Sequence, residues 1–160
     1  LQYLMINPMG KVPSLMHGET VVTEAAAICA YLADAFPSAG LAPNHDQRGA
    51  YYRWLFFAAG PLEAATANKM LGFVIPAELE KSIGCGNFEK VIDVLEEVAS
   101  HQHYIAGSEF SAADIYVGSH IGLDIKFGLI DKKPALEEYW ERVSSRPAYI
   151  RTQELEAELR

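Results

Sequence analysis

The sequence has 160 residues, half of them hydrophobic, and its 21 Asp and Glu outnumber 13 Lys and Arg to give a formal net charge of −8 at pH 7. Without a basic run the chain offers no footprint for nucleic-acid phosphates, and no stretch approaches the roughly 20 apolar residues of a membrane span. We therefore expect a globular protein that binds neither nucleic acid nor membranes.

The two cysteines, Cys29 and Cys85, lie in different surroundings and without Cys-x-x-Cys spacing. This usage is typical of a reducing compartment, where no disulfide framework is needed. The start of the chain also lacks the basic region, apolar core and cleavage site of a secretion signal. The sequence therefore predicts a cytoplasmic location.

The first part of the chain predicts a β-hairpin followed by one helix. Residues 12–22 alternate loosely between apolar and polar around a polar turn at residues 17–19, and residues 25–36 are helix formers that end at Pro37. Two strands and one helix cannot bury a core, because an isolated hairpin is marginal in water. We therefore expect this part to be incomplete, with further residues of the natural protein ahead of Leu1.

The rest of the chain predicts helices only, separated by Gly and Pro signals. The expected helices are residues 47–71, 76–102, 112–127, 134–145 and one from 148 onward. The predicted fold class is α/β followed by all-α. The predicted domains are residues 1–37, a linker at residues 38–46, and an all-α domain at residues 47–160.

One helix start carries a local signature that is independent of the overall fold. Ser111 is placed as an N-cap, and Asp114, three residues later, can accept a bond from the Ser111 backbone N–H. Phe110 and Ile115 stand where a hydrophobic staple would pack. The sequence therefore predicts a structural capping box at the helix that begins near residue 112.

Four segments together resemble the glutathione transferase family, especially its bacterial members. They are NPMGKVPSL (residues 7–15), VTEAAAI (22–28), YIAGSEFSAADIYVG (104–118) and RPAYIRT (146–152). The likeness covers essentially the whole chain, with the motifs in the family's order. It implies a thioredoxin-like first domain that here lacks its first strand, first helix and second strand. The Tyr, Ser or Cys that activates glutathione in the family belongs to that missing part, so no catalytic residue is assigned.

The resemblance also implies a glutathione site in the first domain. The Val12-Pro13 bond would be cis, which turns the Val12 backbone towards the cysteinyl part of glutathione, and Lys11 would reach the glycyl carboxylate. Glu24 would hold the ammonium group and the Ala25 N–H the γ-glutamyl carboxylate. The family has Ser where this sequence has Ala25, which removes one hydroxyl from the site.

Each of these residues also has a plain structural explanation. Pro13 would fit an ordinary edge strand, Glu24 would suit a helix dipole without any ligand, and Lys11 could be a solvated lysine. His101 and His103 stand two residues apart near a helix end and diverge, so we expect no metal site.

The aromatic helix at residues 47–71 implies, through the family, a homodimer interface and a border of the pocket for an apolar substrate. Glu63 on this helix would reach the glutathione site of the neighbouring subunit, although a solvated or locally paired acid explains it equally well. The residues of the hydrophobic substrate pocket are not identified.

The function implied is a cytoplasmic glutathione transferase that joins the glutathione thiolate to a small apolar electrophile, with glutathione as substrate and no metal. Glutathione-dependent reduction, isomerisation or dehalogenation on the same scaffold is the second enzymatic alternative. A non-catalytic binding protein of the family is the third, because Ala25 departs from the family pattern.

Overall fold

The computed structural model describes residues 2–159; Leu1 and Arg160, the end residues of the two predicted domains, lie outside the described residues. After a 3-10 turn at Tyr3–Met5, strand β1 (Ser14–His17) pairs antiparallel with β2 (Thr20–Thr23), and helix α1 (Ala25–Ala35) follows. Gly18 closes the hairpin with a φ of +60° in the left-handed region, which Gly adopts without a steric cost. The predicted hairpin and helix are confirmed.

Between α1 and residue 159 the regular structure is helical, as predicted, apart from one antiparallel bridge between Tyr104 and Gly107. Short 3-10 turns occur at Pro37–Ala39 and His45–Gln47. The helices are α2 (Arg48–Phe57), α3 (Glu63–Leu71), α4 (Phe88–His101), α5 (Ala112–Lys126), α6 (Pro134–Ser144) and α7 (Pro147–Glu158). The fold class, a two-stranded sheet with a helix followed by a helical domain, is therefore confirmed.

The prediction of one helix over residues 76–102 is wrong in its first half, where residues 76–87 form turns. Helix α4 begins only at Phe88, because the Asn87 side chain accepts a bond from the Lys90 N–H at 2.9 Å and caps it. Just before this cap, Gly86 has a φ of +58°, which no helix interior allows.

The predicted helix at residues 47–71 is helical throughout but changes its winding in the middle. A π-helical turn, Ala58–Leu62, joins α2 to α3 and contains Pro61. Proline has no N–H for the α-helical ladder, and the wider π winding accommodates this break inside the helix. The turn sets Glu63 at the start of α3.

Helix α5 runs through the centre of the helical domain and packs on α1, α2 and α6. Its residues Ala113, Val117 and Ile121 are fully buried. At its start the Ser111 N–H donates to Asp114 Oδ2 at 2.9 Å, so the predicted capping box is present.

Candidate functional site

The loop before β1 is shaped by one buried amide. Asn7 is only 4% exposed, and it donates from Nδ2 to the Lys11 carbonyl at 2.7 Å while accepting the Met9 N–H at 3.0 Å. The Tyr3 hydroxyl donates to the same Lys11 carbonyl and bonds Ser14 Oγ at 2.8 Å. Because the Lys11 carbonyl is held inward, the conformation of the loop that leads into Pro13 is fixed.

This loop presents the Val12 backbone to the outside. The Val12-Pro13 peptide bond is cis, as the resemblance implies, and the Val12 residue is 82% exposed. Within residues 2–159 neither the N–H nor the carbonyl of Val12 takes part in a backbone hydrogen bond. Both groups are therefore available to an extended ligand, as an unpaired strand edge would be.

The junction of β2 and α1 exposes a carboxylate beside a helix start. Glu24 is the N-cap residue, with a φ of +67° that residues other than Gly rarely adopt, and its side chain makes no capping bond within the described chain. The first N–H groups of α1, starting with Ala25, carry the positive end of the helix dipole. Such a junction offers an anion site and an acid side by side.

The pairing of the two strands brings these groups to one place. Ser14 pairs with Thr23, so Pro13 and Glu24, the next residue on each strand, lie at the same end of the hairpin. Lys11, Val12, Pro13, Glu24 and Ala25 therefore share one end of the sheet, opposite the turn at Gly18. This juxtaposition of a free backbone edge with a helix N-terminus is the main geometric feature of the site.

Glu63 lies elsewhere, exposed at the start of α3. Its neighbours on α5 are Tyr116, half-buried, whose pKa rises to about 12 through burial and then through the Glu63 charge, and His120, whose pKa is lowered by burial. The Tyr116 and His120 rings meet edge to face with centroids 4.9 Å apart. Sequence reasoning missed both residues, although polar side chains four residues apart on a buried helix are a signal.

Among the described residues, neither the two cysteines nor a cluster of metal-ligating side chains forms a second site. Burial raises the pKa of the Cys29 thiol, and Cys85 is buried, with its sulfur 3.8 Å from Asn68 Nδ2. Over residues 2–159 no group of three or more His, Cys, Asp or Glu side chains is placed to hold a metal ion. No helix in the described range has the length and apolar character to cross a bilayer.

Comparison with known proteins gives matches in both parts of the chain. Residues 1–41 match the family model of the glutathione S-transferase N-terminal domain, and residues 70–147 match that of the C-terminal domain. A glutathione S-transferase of Arabidopsis thaliana is 31% identical over 165 residues, covering 92% of this chain and 75% of the relative. Glutathione S-transferase 3 of Zea mays is 29% identical over 168 residues, covering 94% and 73%.

Solved structures give the same result. The glutathione S-transferase of a sphingomonad, complexed with glutathione, superposes with a TM-score of 0.79 at 29% identity, covering 97% of this chain and 78% of that one. A glutathione transferase of Methylococcus capsulatus has a TM-score of 0.78 at 28% identity, covering 97% and 78%. The chain belongs to the glutathione S-transferase family.

Proposed function

We propose that the protein binds glutathione at the hairpin end formed by Lys11, Val12, Pro13, Glu24 and Ala25, and joins the glutathione thiolate to an apolar electrophile. The observation that carries the proposal is the Ser14–Thr23 pairing, which sets the cis Pro13 beside Glu24 at the open start of α1. A tripeptide with a free ammonium and two carboxylates fits such a combination of groups.

Each part of glutathione has a partner in this proposal. The Val12 N–H and carbonyl bond the cysteinyl backbone, the Ala25 N–H and the α1 dipole bind the γ-glutamyl carboxylate, and Glu24 binds the ammonium. Lys11, whose side chain is exposed, reaches for the glycyl carboxylate. Ala25 lacks a hydroxyl, so the site has one hydrogen bond fewer than a serine would give, a loss of roughly 0.5 to 1.5 kcal/mol.

The reaction proposed is attack by the glutathione thiolate on the electrophile. The sulfur lone pair forms the new S–C bond, and the leaving group departs with its bonding electrons, or the acceptor takes up a proton where nothing leaves. A hydrogen-bond donor that favours the thiolate lowers the pKa of the glutathione thiol. Holding the electrophile beside the thiolate increases the reaction rate further. The donor is a Tyr, Ser or Cys in the family, and no residue of this chain is assigned to it.

An apolar second substrate is supported by exposed apolar surface where α3 ends. Met70, Leu71, Phe73 and Val74 are each more than 60% exposed. A contiguous apolar surface left open to water is typical of a binding surface. The absent Ser hydroxyl at Ala25 favours a second candidate, a glutathione-binding member without transferase activity.

Replacing Glu24 with Gln tests the site directly. We expect calorimetric titration of the full-length protein to show glutathione binding weakened by roughly 1.5 to 3 kcal/mol, because a charge-assisted bond to the ammonium is lost. The free energy of unfolding should hardly change, since the Glu24 side chain makes no capping bond to α1.

Glu19→Gln is the matched control for this experiment. Glu19 is an exposed acid in the turn at the other end of the same hairpin, so its loss removes one charge without touching the site. Equal glutathione affinity of wild type and Glu24→Gln would show that Glu24 is only a helix-dipole residue. No heat from wild type at millimolar glutathione would overturn the proposed function.

We also propose a two-fold homodimer through α2 and α3, with Glu63 reaching the glutathione of the neighbouring subunit. Tyr52 and Phe56, four residues apart on α2, are 40% and 73% exposed and form an apolar face.

Light scattering at micromolar concentration should give a dimer mass, and Phe56→Glu should give a monomer. Phe127→Glu, at a Phe beyond α5 that is 62% exposed, should leave the dimer intact; a monomeric wild type contradicts the proposal.

A further inference from the structure

The loop before β1 is organised by four hydrogen bonds of one buried residue. The Asn7 N–H donates to the Tyr3 carbonyl at 2.9 Å, and the Asn7 carbonyl accepts the Gly10 N–H at 2.9 Å. The Asn7 side chain accepts the Met9 N–H at 3.0 Å and donates to the Lys11 carbonyl at 2.7 Å. Because Asn7 is only 4% exposed, its amide is a structural group of the loop and does not itself face a ligand.

Holding the Lys11 carbonyl also sets the direction of the Val12 N–H. The two groups belong to the same planar peptide unit, and the Lys11-Val12 bond is trans. In a trans peptide unit the carbonyl and the N–H point in opposite directions. Since the carbonyl points inward to the Asn7 amide, the N–H points outward, and within residues 2–159 it donates to no backbone carbonyl.

A second side chain holds the same peptide unit. The Tyr3 hydroxyl donates to the Lys11 carbonyl and lies 2.8 Å from Ser14 Oγ, at the first residue of β1. Asn7 and Tyr3 therefore use both lone pairs of one carbonyl oxygen. Rotation of the peptide unit would break both bonds and leave the buried Asn7 amide without this acceptor, which costs free energy. The outward direction of the Val12 N–H is therefore fixed before any ligand binds.

We propose that Asn7 is a positioning residue for glutathione binding, because its hold on the Lys11-Val12 peptide unit directs the Val12 N–H at the carbonyl of the cysteinyl residue. The proposal rests on the proposed function, which supplies this ligand. An edge N–H that is already oriented binds an extended peptide with a smaller ordering cost. Asn7 acts through this one bond and not through Glu24 or Ala25 at the γ-glutamyl end.

Two ligands separate this role from a general effect on the fold. One is glutathione, and the other is an alkene analogue, in which a trans carbon–carbon double bond replaces the peptide bond between cysteine and glycine. The double bond keeps the shape of the peptide but has no carbonyl oxygen for the Val12 N–H. In calorimetric titrations of the full-length wild type, the alkene analogue should bind about 3- to 10-fold more weakly, the effect of losing one hydrogen bond.

Asn7→Ser is the variant that tests the positioning role. A serine hydroxyl can still accept the Met9 N–H, as it does in turns of this kind, but it is too short to reach the Lys11 carbonyl. Asn7→Ser should therefore weaken glutathione binding about 3- to 10-fold and leave the affinity for the alkene analogue unchanged. Tyr3→Phe removes the second donor to this carbonyl and should weaken the binding of glutathione alone, by about 2- to 3-fold.

Asn44→Ser is the matched control, since Asn44 is an exposed amide between α1 and α2 whose side chain makes no capping bond. It should leave the affinity for both ligands unchanged. An Asn7→Ser protein that binds glutathione as wild type does overturns the proposal, and so does one that loses both ligands equally, as a fold defect would cause. A wild type that binds both ligands with equal affinity also overturns it, whereas a wild type that binds neither ligand overturns the proposed function itself.

Discussion

Replacing Asp114 with Ala should lower the free energy of unfolding by roughly 3 to 5 kcal/mol, because it leaves several buried donors without an acceptor. Asp114 is fully buried, and its Oδ1 accepts the Ile105 N–H at 2.7 Å and the Tyr139 hydroxyl at 2.9 Å. Its Oδ2 accepts the N–H and the hydroxyl of Ser111, at 2.9 and 3.2 Å. Denaturant unfolding of both proteins measures the difference.

Two further variants provide stability losses with which the loss in Asp114→Ala can be compared. Ser111→Ala removes the N-cap hydroxyl but keeps the Asp114 acceptor, so it should cost about 1 kcal/mol. Glu137→Ala removes an exposed acid from α6 and should change stability by less than about 0.5 kcal/mol. If Asp114→Ala cost no more than Glu137→Ala, Asp114 would not be the junction that ties α5 to the Ile105 loop and α6.

The elements that could be predicted from the sequence are those determined by contacts between residues close together in the chain. The hairpin follows from a polar turn with Gly18 between two alternating segments, and the start of α5 follows from Ser111 and Asp114. In both cases the residues that make the deciding contacts are within a few positions of each other. Such contacts form whatever the rest of the chain does.

The errors come from places where several weak local signals compete. Residues 76–87 contain good helix formers, yet Gly84, the left-handed Gly86 and the Asn87 cap delay α4 until Phe88. The π turn was missed for a related reason, because Pro61 predicts a break in an α-helix but not how the chain absorbs it. Helix propensity summed over a long window does not show where single residues delay or interrupt a helix.

The same distinction between local contacts and contacts made by the fold applies to the candidate site. Pro13 and Glu24 were found through a resemblance, while their closeness follows from a strand pairing that only the fold supplies. Tyr116 and Glu63 are more than 50 residues apart, and nothing local to either residue indicates the other. The predicted domain boundaries, the roles of the site residues and the cytoplasmic location stay predictions.

Gly122→Ala should lower the free energy of unfolding by about 1 to 3 kcal/mol, although alanine favours helices by up to about 1 kcal/mol over glycine. A Cβ on Gly122 would lie 2.5 to 2.6 Å from three atoms of the Trp140 ring, far inside van der Waals contact. The ring would have to move, and it packs edge to face on Tyr149 with centroids 5.4 Å apart. Denaturant unfolding followed by tryptophan fluorescence reports both the stability and the ring.

Gly49→Ala on α2 separates packing from helix propensity. No atom lies within 4 Å of a Cβ built on Gly49, so this variant should be neutral or more stable by up to about 1 kcal/mol. Gly118→Ala should fall between the two, because its Cβ would meet one methyl group of Val143 at 3.0 Å, closer than any contact at Gly49 but less close than the ring at Gly122. If Gly122→Ala were as stable as Gly49→Ala, the close approach of α5 to α6 at Trp140 would have no energetic role, since the ring would have moved aside without a cost.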